Sequence, residues 1–141
     1  KNEPMLERHL VELAEELNFP FTEKDKNGAY GLTVEAFQLR LLPLDPGLYI
    51  ETSIANVPDL EAMPEGEAFL THIIEANYLG QGTGGGSLSI SENGKEFLYA
   101  FLIDDEVSAE SFRHGVETTV NFAEYWRAKI EKMATMPPSN V

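Results

Sequence analysis

Apolar positions in this chain follow two periods, and the switches between them mark out its elements. Leu6, Leu10, Leu13 and Leu17 recur at spacings of four, three and four. That is one stripe of a helix, with Glu7, Glu12, Glu15 and Glu16 on the other side. Pro4 suits the first turn, while Asn18 and Pro20 end it. Lys24–Gly28 reads as a polar turn. The period then drops to two. Ala29–Glu35 places Tyr30, Leu32 and Val34 on one face, Phe37–Leu42 places Phe37, Leu39 and Leu41, and Leu48–Ala55 places Leu48, Ile50 and Ile54. Asp45-Pro46-Gly47 predicts an antiparallel hairpin between the last two runs. Val57–Pro64, with two prolines, reads as a linker.

The stretch Glu65–Ser91 returns to helical spacing, turns on glycines and becomes a strand. Ala76, Phe69, Ile73, Leu70, Ile74 and Tyr78 cover an arc of roughly 200° on that helix, twice what one buried stripe needs. One side of the arc suits the chain's own core; a second copy of the protein is the simplest cover for the rest. The helix is expected to stop at Gly80. Ser87–Ser91 and Lys95–Ile103 flank Glu92-Asn93-Gly94, and Asn-Gly between apolar runs predicts a hairpin. The second of these runs is apolar on both faces, as expected of a central or covered strand. Ser108 is the expected N-cap of a final helix to about Met133, with Phe112, Val116, Val120, Ala123 and Ile130 along one stripe. Residues 134–141 read as a loose tail.

The order is α-β-β-β-α-β-β-α. It predicts a single α+β domain over residues 1–141, with a mostly antiparallel five-stranded sheet, three helices and a homodimer through helix two.

Composition changes this picture mainly through charge. Twenty-four acids against ten Lys and Arg give a net charge of −14. No Lys or Arg lies between Leu41 and Gly94, a span holding Asp45, Glu51, Asp59, Glu61, Glu65, Glu67, Glu75 and Glu92. Such a field repels nucleic acid and anionic membranes, and welcomes neutral or basic polypeptide. The absence of cysteine excludes disulfides, thiolate metal sites and cysteine nucleophiles. No apolar run reaches the ~18 residues of a membrane span. A cytoplasmic protein is the expectation, and because the chain opens on Lys1, its natural start is expected upstream.

Candidate chemistry is sparse. Gly80-Gln81-Gly82-Thr83-Gly84-Gly85-Gly86 leaves a helix and enters a strand, the reverse of a phosphate loop, and lacks the Gly-Lys-Ser/Thr ending. A flexible turn or a close backbone approach accounts for it better. His72 and Glu75 sit one helical turn apart, but two ligands do not make a metal site. Ser111, His114 and Glu117 share one helix, whereas a triad converges from several elements. Asp104-Asp105-Glu106 reads as a solvated charge run. Tyr125 and Trp126 are expected to pack on the core rather than stack on a ligand. Neither an enzyme nor a cofactor is expected.

A family resemblance adds to this reading. Ala76-Asn77-Tyr78-Leu79-Gly80, Thr83-Gly84-Gly85-Gly86 and Leu88 resemble the end of helix two and the next strand in the class I chaperones of type III secretion, the CesT-like (Tir chaperone) group. Leu6–Ala14 and Asn121–Trp126 are similar to that group's first and third helices, so the resemblance spans roughly residues 5 to 133. It implies a cytoplasmic virulence-associated homodimer that holds the unfolded N-terminal segment of a secreted effector in extended form, without cofactor or metal. Expected dimer contacts are Phe69, Leu70, Ile73, Ile74, Tyr78 and Leu88. Expected cargo contacts are Leu6, Leu10, Leu32, Val34, Phe37, Leu39 and Leu41, although the same positions serve equally as core. A small acidic dimeric ligand-binding domain is the alternative.

Overall fold

Turn chemistry sets the pairing of the sheet. The computed structural model describes residues 10–12, 14–16, 18, 21–22, 28–63, 65–77, 82 and 84–134. The strands are β1 (Phe21–Thr22), β2 (Tyr30–Val34), β3 (Phe37–Pro43), β4 (Leu48–Asn56), β5 (Ser87–Ile90) and β6 (Glu96–Ile103). They form one antiparallel sheet in the order β1-β2-β3-β4-β6-β5. The five expected strands are β2 to β6. The two-residue β1, too short to leave a period, is an addition. Residues 10–12 and 14–16 are helical, a central helix runs Gly66–Ala76 and a last helix Ala109–Ala134. The expected turn at 24–27, the helix stop at Gly80 and the tail at 135–141 lie outside the described residues.

Each hairpin carries its cause. Between β2 and β3, Val34 pairs with Phe37 across a two-residue turn that holds Glu35 at φ 56°. At the β3–β4 turn, a Cβ on Gly47 would lie 2.2 Å from the Ile103 carbonyl oxygen, so only glycine fits. Gly94 closes β5–β6 at φ 75° with open space around it. Ser108 caps the last helix as expected. The Ser111 N–H donates to Ser108 Oγ at 3.0 Å, and the Ser108 N–H donates to Ser111 Oγ at 2.9 Å.

All helices cover one face of the sheet. Leu10 and Ala14 join Leu32, Val34, Leu39, Leu41 and Ile50 under Phe112, Val116 and Val120. The second half of the core gathers Phe69, Ile73 and Ala76 of the central helix with Leu88, Phe97 and Tyr99 under Trp126 and Ile130. The last helix therefore roofs both halves. Gly115 lets it approach, because a Cβ there would lie 2.9 Å from Ile50 Cδ1. The opposite face carries the Arg40–Glu51 ion pair, a half-buried Tyr49 and the 52% exposed Leu102. β6 is thus paired on both edges, but among the described residues nothing covers Leu102.

A bulge between Ser53 and Ala55 interrupts the β4–β6 ladder. Arg127 answers it, donating through Nε to the Ile54 carbonyl and through Nη2 to that of Ser53. At the other side of the sheet, Asn77 follows the central helix and clamps β5. Its Nδ2 donates to Leu88 O and its Oδ1 accepts from Leu88 N, both at 2.7 Å.

Candidate functional site

The glycine-rich turn is a packing device. A Cβ on Gly84 would lie 2.2 Å from the Phe122 ring, and one on Gly86 would lie 2.4 Å from both Tyr99 Oη and Ala100 O. Tyr99 stacks on Phe122 with the rings 6.1 Å apart and 6° from parallel. Burial pushes the Tyr99 hydroxyl up to about 12, opposed by a backbone hydrogen bond from Gly86. Gly82 links the two long helices. Its N–H donates to Ala76 O at 3.0 Å, and its carbonyl accepts from Trp126 Nε1 at 2.9 Å. These glycines bring backbone against aromatic rings, the close approach expected of them.

Their junction leaves a groove of about 480 Å³ between the central and last helices, lined by His72, Glu75, Ala76, Gly82, Phe122, Tyr125 and Trp126. The His72 ring lies 5.7 Å from that of Trp126, and Tyr125 meets Trp126 edge-on at 5.3 Å. Trp126 is core, as expected, but Tyr125 is 53% exposed and packs only in part. Periodicity hid this, since the two neighbours lie 100° apart on the helix and only one can face inward. His72 and Glu75 share the groove without a third ligand, and no cluster of metal-binding side chains occurs among the described residues.

Most of the expected cargo contacts lie beneath the helices. Leu10, Leu32, Val34, Phe37, Leu39 and Leu41 are at most 6% exposed and sit in the core beneath the helices. Period-two alternation selects the sheet face that meets the helices, so the signal that singled them out was the signal of burial. Leu6 lies outside the described residues. Of the expected dimer contacts, Phe69, Ile73 and Leu88 are likewise core, Leu70 is half-buried and Ile74 is 68% exposed. Tyr78 lies outside the described residues. The wide arc of the central helix thus divides into a buried half and an open half. Ile90, on the edge strand β5, is 46% exposed.

The Tir chaperone protein (CesT) family matches residues 8–127. No curated protein matches the sequence. Among solved structures, the chain resembles one in the crystal structure of the ExsC–ExsE complex, with a TM-score of 0.71 at 18% identity, over 90% of this chain and 94% of that one. It also resembles one in the structure of the Yersinia pestis type III secretion chaperone SycH with a stable fragment of YscM2, with a TM-score of 0.59 at 17% identity, over 82% and 94%. YbjN, a putative transcription regulator from E. coli, shares the fold with a TM-score of 0.61 at 13% identity, over 92% and 95%. At these identities the likeness is one of fold.

Proposed function

Because the chain belongs to the Tir chaperone protein (CesT) family, we propose that it is a type III secretion chaperone. It binds the unfolded N-terminal segment of a secreted effector and keeps that segment competent for export. The observation that carries this reading is the family match over residues 8–127. Two similar structures agree with it: the type III secretion chaperone SycH in complex with a stable fragment of YscM2, and the HopA1–SchA chaperone–effector complex.

The cargo surface follows from the sheet rather than from the buried leucines. Among the described residues β1 pairs with β2 opposite Gly31 and Leu32, and in this reading an extended segment adds to the sheet on that side. Strand addition gives affinity through backbone hydrogen bonds with modest sequence demands, which suits an unfolded cargo. A net charge of −14 favours neutral or basic segments. The dimer runs through the open half of the central helix, with Ile74 at its centre and Leu70 beside it. We place the protein in the cytoplasm and assign it no catalysis, in keeping with a chaperone.

Affinity capture from the native cytosol tests the reading: one or a few secreted proteins should co-purify through their N-terminal segments. Capture of none, under conditions where secretion is active, would sink it. Light scattering addresses the dimer, which Ile74→Asp should convert to monomer by placing a charge in a dry contact. A wild-type monomer at micromolar concentration would remove that part of the proposal.

A further inference from the structure

The groove between the central and last helices plays no part in strand addition, and its chemistry is specific. Phe122, Tyr125 and Trp126 give it aromatic walls, and among the described residues Glu75 is its one charged lining residue. Glu75 is exposed and has neither an ion-pair nor a hydrogen-bond partner among the described residues. The central-helix side of the groove belongs to the span between Leu41 and Gly94 that contains no Lys or Arg. Tyr125 already accepts a cation at one side, with Lys129 Nζ 5.6 Å from its ring centroid. Beneath this surface, His72 Nε2 is buried without a hydrogen-bond partner among the described residues.

We infer that this groove binds the guanidinium of an arginine side chain carried by an extended polypeptide. Aromatic walls beside a free carboxylate suit a planar cation that stacks on rings and hydrogen-bonds to a carboxylate through its edge. Lysine offers the same charge as a compact, strongly hydrated ammonium that stacks less well. An apolar anchor would desolvate Glu75 and leave it without a partner. The site rests on the chaperone reading only for the origin of the polypeptide. There, it would select cargo segments that carry arginine beside the stretch added to the sheet.

Trp126 is the single tryptophan of the chain and lies in the groove, so its fluorescence reports occupancy directly. The full chain is titrated with the capped tripeptide Ala-Arg-Ala and with its citrulline, lysine and leucine counterparts. Calorimetry on the same pairs detects a bound state that leaves emission unchanged. The arginine peptide should bind saturably, and the citrulline peptide at least about tenfold more weakly, because it keeps the shape and loses the charge. Glu75→Gln, an exposed change checked by circular dichroism, should erase the difference between the two. Absence of saturable binding at millimolar peptide, equal binding of the leucine peptide, or an arginine preference that survives Glu75→Gln would each overturn the assignment. Effector capture can fail while this titration succeeds, and the reverse, so the two readings fall separately.

Discussion

The guanidinium of Arg127 lies 4.2 Å from the centroid of the Phe37 ring, joining the last helix to the start of β3. The same group donates to the Ile54 and Ser53 carbonyls at the β4 bulge. One side chain therefore supports the irregularity in the ladder and the ring beside it. Arg127→Leu leaves those carbonyls without a donor and removes the stacking, and should cost about 2–3 kcal/mol. Arg127→Lys keeps the charge but not the fork, and should recover less than half of that loss. Urea unfolding of the two variants is the measurement. A leucine variant as stable as the parent would mean that the bulge carbonyls find solvent instead.

Two glycines with the same sign of φ should respond differently to alanine. Gly94 has open space around it, so Gly94→Ala carries only the backbone cost, about 1 kcal/mol. Gly84→Ala adds a collision with the Phe122 ring and should cost about 3 kcal/mol or more. Thermal unfolding distinguishes them. Equal losses would show that the glycine-rich turn yields, and would return it to the flexible-loop reading.

Glu124 lies beside Glu35 in a relation that the sequence gives no hint of. The hydrogen bond and charge of Glu35 hold the Glu124 carboxyl above its ordinary range. A raised carboxyl favours the protonated form in the folded chain. Its contribution is therefore fully present below the unfolded value and is lost as pH rises through the folded one. Glu124→Gln should accordingly raise the melting temperature at pH 7 more than at pH 4. Glu35→Gly should do the same and also relieve the φ of 56°. A shift that is identical at both pH values would remove the pair from the account.

The sequence was most informative where one rule acted alone. Asp45-Pro46-Gly47, Asn93-Gly94 and Ser108 each impose a local conformation that few other sequences supply, and each is found in its expected role. The stripes along β2, β3 and the last helix were equally legible as apolar faces. What periodicity could not separate is what lies across from a stripe. Phe37, Leu39 and Leu41 read alike as groove or as core, and Phe69 and Ile74 look equivalent until the fold turns one inward. The groove was less legible still. His72, Glu75, Gly82 and Tyr125 meet because the central helix and Gly82 pack against the last helix, a relation that no local pattern carries.

The clamp of Asn77 on Leu88 makes the sheet directional. An edge strand offers its free N–H and C=O groups to any passing chain, and a protein that handles unfolded polypeptide is surrounded by such chains. The Asn77 amide occupies that offer on β5 with one donor and one acceptor, as a terminating strand would. On that side the Leu88 N–H and C=O are closed to an incoming strand. A molecule that could be extended at both ends would be a monomer unit for a fibre. Blunted at Leu88, a sheet that takes up a cargo strand elsewhere, as proposed above, would not pass that growth on through this clamp.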